Sequence, residues 1–378
     1  MHEPVYLDYN ATTPVAPEVA GAVMRCLSDT FGNPSSSHEL GQRAAAIVTE
    51  ARGSVARLIG AQAEEVIFTG CATEANNLAL LGVARASTGK RHLVISAIEH
   101  PAVMAPAQQL EREGWALTVL PVDRFGRVSA ADVQAALRPD TVLVSIMHAN
   151  NEVGTLQPIR EIAAVTRPRG VLLHTDAAQS AGKLPLDVYA LGVDLLTLAG
   201  HKFYAPKGVG ALYVRRGTPI ARILFGADQE RGLRPGTENV PAIAGLGAAT
   251  ELALAHLPMA ARLRDRRDAL HQRLLAAIPD LHLNGHPYER LPNSLHVSFP
   301  GVSGRALLHA ARADVAASVG SACHSEHDAV SGVLAAMGCD AARARGAVRF
   351  STGWPTTEKD IEWAAEALIA AWRQLAQP

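Results

Sequence analysis

The chain has 378 residues, with 35 lysines and arginines against 36 aspartates and glutamates and a formal net charge of −1. No basic excess is available to condense on a phosphate backbone or an anionic membrane, which argues against nucleic acid or a membrane as partner. The length exceeds the usual limit of one hydrophobic core and implies a large unit with a smaller one.

The first twenty residues carry Glu3, Asp8 and several prolines where a secretory leader needs a basic start and an apolar centre. No later stretch reads as apolar for long enough to span a bilayer, so a cytoplasmic protein is expected. From about residue 64 to 215, short apolar runs alternate with longer helical patterns. The runs EVIFTG (65–70), HLVISA (92–97), TVLVSIM (141–147), VLLHTD (171–176), DLLTLAG (194–200) and GALYV (210–214) are rich in Val, Leu and Ile. Strands buried on both faces read this way, so an α/β unit with a mostly parallel mixed sheet flanked by helices is expected. From about 256 the texture changes to a long charged helical pattern, followed by strand-like NSLHVSF (293–299), helical GRALLHAARA (304–313), strand-like GAVRFST (346–352) and a closing helix. These set the expected division: a large cofactor-binding domain over 15–255 and a smaller α+β domain made of 1–14 and 256–378.

Four cysteines without a C-x-x-C pair make neither a disulfide framework nor a zinc knuckle. Cys26 and Cys339 lie in or beside apolar helical stretches and read as packing. Cys323 differs, sitting in a run of small residues with His324 and His327 close behind. Three neighbouring ligands without a distant fourth make a poor zinc site, so no metal is assigned there.

Ligands of open parallel sheets lie beyond the carboxyl ends of the strands, so the residues following each run carry the functional reading. After EVIFTG, Ala72 and Thr73 open a helix whose free amides suit a phosphate; an ordinary Thr N-cap is the competing reading. His100 precedes a proline able to start a helix, and Asn150 and Asn151 follow a strand. Asp176 closes an apolar run, where a carboxylate needs a partner, and Gln179 is expected one helical turn further on the same face. Lys202 follows another strand, beside His201 and ahead of a Pro/Gly turn, where desolvation would favour an amine nucleophile; a surface lysine in a loop is the commoner alternative. A lysine, an acid at a neighbouring strand end and a phosphate-ready helix start are what pyridoxal phosphate needs: a Schiff base, a partner for the pyridine nitrogen and a phosphate cup.

The segments VYLDYNATTP, FGNPSSSH, FTGCATEANNLAL, EHPAV, SIMHANNEVGTLQPI, HTDAAQSAGKLPLD, GHKFYAPKGVGALYVRRG, RPGTEN and VRFSTG occur in this order along nearly the whole chain. Through them the chain resembles the pyridoxal-phosphate-dependent cysteine desulfurases and selenocysteine lyases of the class V aminotransferase-like group. The resemblance implies fold type I, a homodimer and a possible sulfur- or selenium-acceptor protein. It implies that Lys202 holds the cofactor and shuttles the α-proton, Asp176 pairs with the ring nitrogen, Gln179 hydrogen-bonds the ring oxygen and His100 stacks on the ring. Ala72, Thr73 and His201 would contact the phosphate, and Thr237 would reach the phosphate of the neighbouring subunit. Asn151 would contact cofactor or substrate, Arg349 and Asn33 would bind the substrate carboxylate, and Cys323 would meet the departing sulfur or selenium. The loop SVGSACHSEH replaces the usual desulfurase pattern, and Ala199 stands where those enzymes carry serine; both look like selenocysteine lyases, which makes selenocysteine lyase the leading expectation and cysteine desulfurase its alternative. Trp354 occupies a position where the family commonly has arginine. Rival readings are another pyridoxal-phosphate enzyme of this fold, such as an aminotransferase, and a non-catalytic sulfur-carrier scaffold.

Overall fold

In the computed structural model, which describes residues 3–320 and 331–376, each of the six apolar runs forms a strand. In chain order the strands are β1 (Val5–Tyr6), β2 (Val66–Thr69), β3 (His92–Ser96), β4 (Ala116–Leu120), β5 (Thr141–Ser145), β6 (Leu172–Asp176), β7 (Leu195–Ala199), β8 (Gly210–Val214), β9 (His282–Leu283), β10 (Ser294–Ser298), β11 (Val315–Ala316) and β12 (Ala347–Ser351). The large sheet has seven strands in the order β2-β8-β7-β6-β5-β3-β4. Its pairings are parallel except around β8, which runs antiparallel to both β2 and β7. β2, β3, β5 and β7 are buried along their whole length, which is why they read as unbroken apolar runs. β4 escapes that reading because it is an edge strand with Val119 exposed.

Chain order reverses across β3 and β5, since β3 continues outward to β4 while β5 leads to β6 and β7. A crevice therefore opens at the carboxyl ends of these strands. A second core lies against the antiparallel sheet β12-β10-β9 and contains Leu270, Leu274, Phe299, Phe350 and Leu368. The N-terminal segment belongs to that core: Val5 and Leu7 pack within it, and β1 runs parallel to β11 with Val5 opposite Val315.

One helical stretch, Val240–Ala277, is long and apolar enough to cross a membrane by length and composition, contrary to the reading of the sequence. The apolar character has a packing cause. Its first helix, Val240–His256, lies against the helices Pro17–Ser28 and Glu39–Leu58, and Ile243, Leu246, Ala249 and Ala253 are buried in the large core.

Gly210 begins β8 where the strand presses on the start of the helix Ala72–Ala86. An added Cβ would lie 2.7 Å from the Leu198 carbonyl oxygen and 2.9 Å from the Cys71 carbonyl carbon. Gly210→Ala is therefore expected to force strand and helix apart at a cost of about 1–3 kcal/mol. Denaturant unfolding reads that loss directly, and an unchanged midpoint would mean the helix start can retreat freely.

Candidate active site

Asp176 ends β6 and is 7% exposed. Its carboxylate accepts Asn76 Nδ2 at 2.7 Å and the Ala178 backbone N–H at 2.9 Å. Lys202 closes the short 3-10 turn Gly200–Lys202 after β7 and donates its Nζ to the carbonyl oxygens of Asn10 and Ala11, at 2.6 and 2.8 Å. Both residues line one cavity of about 410 Å³, together with Ala72, Thr73, His100, Asn151, Gln179, Ala199, His201 and Arg349. Among the described residues assigned to the site, all but Asn33 and Thr237 thus converge. Asn33 is exposed and its side chain accepts the Ser35 N–H, while Thr237 is exposed on the loop before the helix Val240–His256. Cys323, His324 and His327 lie outside the described residues.

Local structure explains each placement. The helix Ala72–Ala86 is preceded by Cys71 as N-cap, with no side-chain capping bond. The Thr73 cap considered from the sequence is not formed, and Glu74 instead accepts the Gly70 N–H and pairs with Arg234 at 2.9 Å. His100 caps the helix Pro101–Arg112 by accepting the Ala102 N–H on Nδ1. That bond leaves Nδ1 as the acceptor of a neutral ring, and burial lowers the His100 pKa in the same direction, with nearby Lys202 adding to it and Asp176 opposing. Burial, reinforced by Lys202, Lys207 and Lys183, pushes His201 down to about 4. Asn150 is structural: its Oδ1 accepts the Glu152 and Val153 N–H groups and turns the chain so that Asn151 faces the cavity. Gln179 sits on a succession of turns rather than on the expected helix, although Ala181 N–H still bonds to Ala177 O.

Arg349 projects from β12 and is held by Asp8 at 2.8 Å and by the Asn151 carbonyl at 2.9 Å. Trp354 does not line this cavity; it is stacked between Tyr204 and His256, with ring centroids 3.9 and 4.0 Å away. Its packing role removes it from the edge of the site.

Several site groups were missed in the sequence. Asn76 and Asn10 carried no signal beyond a polar residue in an apolar context, and Glu99 was overshadowed by the adjacent His100. Glu99 is buried, accepts the Ser96 hydroxyl and the Met147 N–H on Oε1, and leaves Oε2 with no partner among the described residues. Burial, with nearby Asp176 adding to the rise, pushes its pKa to about 8, so its carboxyl is neutral at ordinary pH.

The donor set fits pyridoxal phosphate. An uncapped helix start offers amides to a phosphate, a buried carboxylate lining the cavity suits a protonated ring nitrogen, and an amine on the same cavity wall suits an aldehyde. The bonds that hold Asp176 come from neutral donors, which leaves its charge to be balanced by a cation.

Residues 5–363 match the family model described as aminotransferase class-V. The chain is 45% identical over 371 residues to "Cysteine desulfurase IscS" of Dictyoglomus turgidum, covering 97% of this chain and 94% of that protein. Among solved structures it resembles "NIFS-LIKE PROTEIN" with TM-score 0.91 and 36% identity, over 97% of this chain and 98% of the other. It also resembles "SspA in complex with cysteine" with TM-score 0.81 and 36% identity, over 92% and 98% of the two chains.

The raised pKa of Glu99 has a consequence for stability. A carboxyl lifted from 4.5 to about 8 binds its proton more tightly in the folded state. Its contribution is therefore full below about 4.5 and is lost as pH climbs through about 8. Glu99→Gln, which imitates the neutral acid, should gain thermal stability over the parent progressively between pH 5 and 8. Melting curves at a series of pH values test this, and a difference that is constant or shrinks with pH would refute the buried neutral acid.

Proposed function

Because the chain belongs to the class-V aminotransferase family, we propose that this pyridoxal-phosphate enzyme takes sulfur from L-cysteine and leaves L-alanine. The observation that carries the reading is the convergence of Lys202, Asp176 and Arg349 on one cavity. Pyridoxal phosphate bound there supplies an electron sink for the charge set free at the substrate Cα. Lys202 would hold the cofactor aldehyde and then move the α-proton, Asp176 would keep the ring nitrogen protonated, and His100 would cover the ring face. The uncapped helix start at Ala72 and Thr73, with His201, would hold the phosphate. Arg349, oriented by Asp8 and the Asn151 carbonyl, takes the substrate carboxylate in a charge-assisted pair, with Asn151 as the neighbouring polar contact; Asn33, exposed and outside the cavity, is not given that role.

Cys323 completes the reaction. Its thiolate attacks the substrate sulfur, a sulfur–sulfur bond forms as the Cβ–sulfur bond breaks, and the electron pair released stays with the carbon fragment until a proton converts it to alanine. The enzyme is left with a persulfide on Cys323, which an acceptor thiol on a partner protein removes. A cytoplasmic homodimer, with Thr237 of each chain serving the other's phosphate, accompanies this reading. The selenocysteine-lyase expectation rested on Ala199 and the SVGSACHSEH loop; the relatives support sulfur chemistry better, so selenium becomes the alternative substrate. Steric selection between the two chalcogens is weak, and any preference lies in the protonation of Cys323.

Alanine formation from L-cysteine without a keto-acid acceptor separates this reading from a transaminase, and parallel kinetics with L-selenocysteine rank the two substrates. Cys323→Ala should lower alanine formation from cysteine by about a thousandfold or more while the cofactor's visible band persists. Lys202→Ala should abolish that band. Wild-type sulfur release by Cys323→Ala, or absence of any Lys202-dependent band, would overturn the proposal.

A further inference from the structure

Lys183 carries no role in the reaction described above, yet it is buried, 6% exposed, beside Gln179 of the site. Its Nζ donates to Gln179 Oε1 at 3.0 Å and to Asn10 Oδ1 at 3.3 Å. Burial, followed by the positive charges of Lys202 and Arg349, lowers its pKa well below the ordinary 10.5. Two amide oxygens receive its N–H groups here.

Those two bonds settle which way two amides point. With Oε1 turned to Lys183, Gln179 Nε2 donates to the Asn10 carbonyl at 3.0 Å and keeps its remaining N–H for the cavity that Gln179 lines. Flipping the Gln179 amide would set donor against donor at Lys183 and acceptor against acceptor at Asn10. Asn10 is fixed in the same way. Its Oδ1 faces Lys183 and Asn293 Nδ2, its Nδ2 donates to Ser294 Oγ at 3.0 Å, and its backbone carbonyl accepts both Gln179 and the Lys202 amine.

We propose that Lys183 is a positioning residue whose amine locks the Gln179 amide as a hydrogen-bond donor toward the ring oxygen of bound pyridoxal phosphate. The inference rests on the functional reading above, in which Gln179 faces that oxygen. A donated hydrogen bond favours the ionised oxygen, so losing the lock favours its protonated form.

The test is a pH titration of the visible absorbance band of cofactor-loaded wild type, Lys183→Met, Gln179→Ala and the double variant. Lys183→Met keeps the length and removes the donors; Lys183→Leu serves the same comparison if the methionine variant does not fold. The expected result is a titration midpoint raised by about one pH unit in Lys183→Met, the order expected for a hydrogen bond to a charged group. Added to Gln179→Ala, the lysine substitution should produce no further shift. An unchanged midpoint in Lys183→Met, or a shift of full size persisting in the Gln179→Ala background, would overturn the proposal, the latter by showing a charge effect that bypasses the amide. Absence of the band in wild type would instead sink the cofactor reading itself, so the two failures are distinguishable.

Discussion

A carboxylate withdrawn from water on the wall of a cavity that also holds a lysine amine is the constraint on which the site depends. Asp176 is anchored by Asn76 and the Ala178 N–H, neutral donors that fix its direction without neutralising it. Lys202 is turned instead toward two backbone carbonyls at the N-terminal segment. A buried ionised group needs a partner of opposite charge, and the protonated ring nitrogen of pyridoxal phosphate would supply it. Folding thus leaves an electrostatic demand that one class of cofactor meets. The neutral state of Glu99 belongs to the same balance, since a second anion beside Asp176 would alter the charge the ring nitrogen meets.

Much of this was legible in the sequence because parallel sheets put their chemistry where their apolar runs stop. Asp176 and Lys202 each terminate a buried or nearly buried strand or the turn directly after it, so a polar residue at the end of a Val/Leu/Ile run was a direct pointer to the crevice. The strands failed to register only where burial was incomplete, as at the edge strand β4, whose residues are mostly half-buried. Strand direction was not legible: β8 is as apolar as its neighbours, and nothing in GALYV distinguishes an antiparallel insertion from a parallel strand.

The less legible half of the site consists of residues that act on other side chains. Asn76 orients Asp176, Asp8 orients Arg349, and Asn10 receives Lys202 on its backbone carbonyl. None has a local signature, because its meaning comes from a partner remote in sequence: a hundred residues separate Asn76 from Asp176, and 341 separate Asp8 from Arg349. The Thr73 cap and the helical placement of Gln179 failed for a related reason. Both were local propensities, and at each position the backbone is shaped by tertiary contact, with Gly210 against the helix start and Gln179 tied to Asn10.

Asn10 also explains how two cores make one site. Lys202 and Asp176 belong to the large sheet, whereas Arg349 comes from β12 in the second core. Asn10 touches both: its N–H donates to Ser351 Oγ at 2.9 Å and its Nδ2 to Ser294 Oγ, while its carbonyl takes Lys202 and Gln179. Asp8, two residues earlier, forms a parallel bridge to Ser351 and holds Arg349. The N-terminal segment is therefore a clamp threaded between the cores. The distance from the lysine amine to the guanidinium is set less by either core alone than by the hydrogen bonds of this short stretch. A substrate that bridged the guanidinium and the amine would be measured against that clamp, and small shifts in it would be felt in orientation before they were felt in stability.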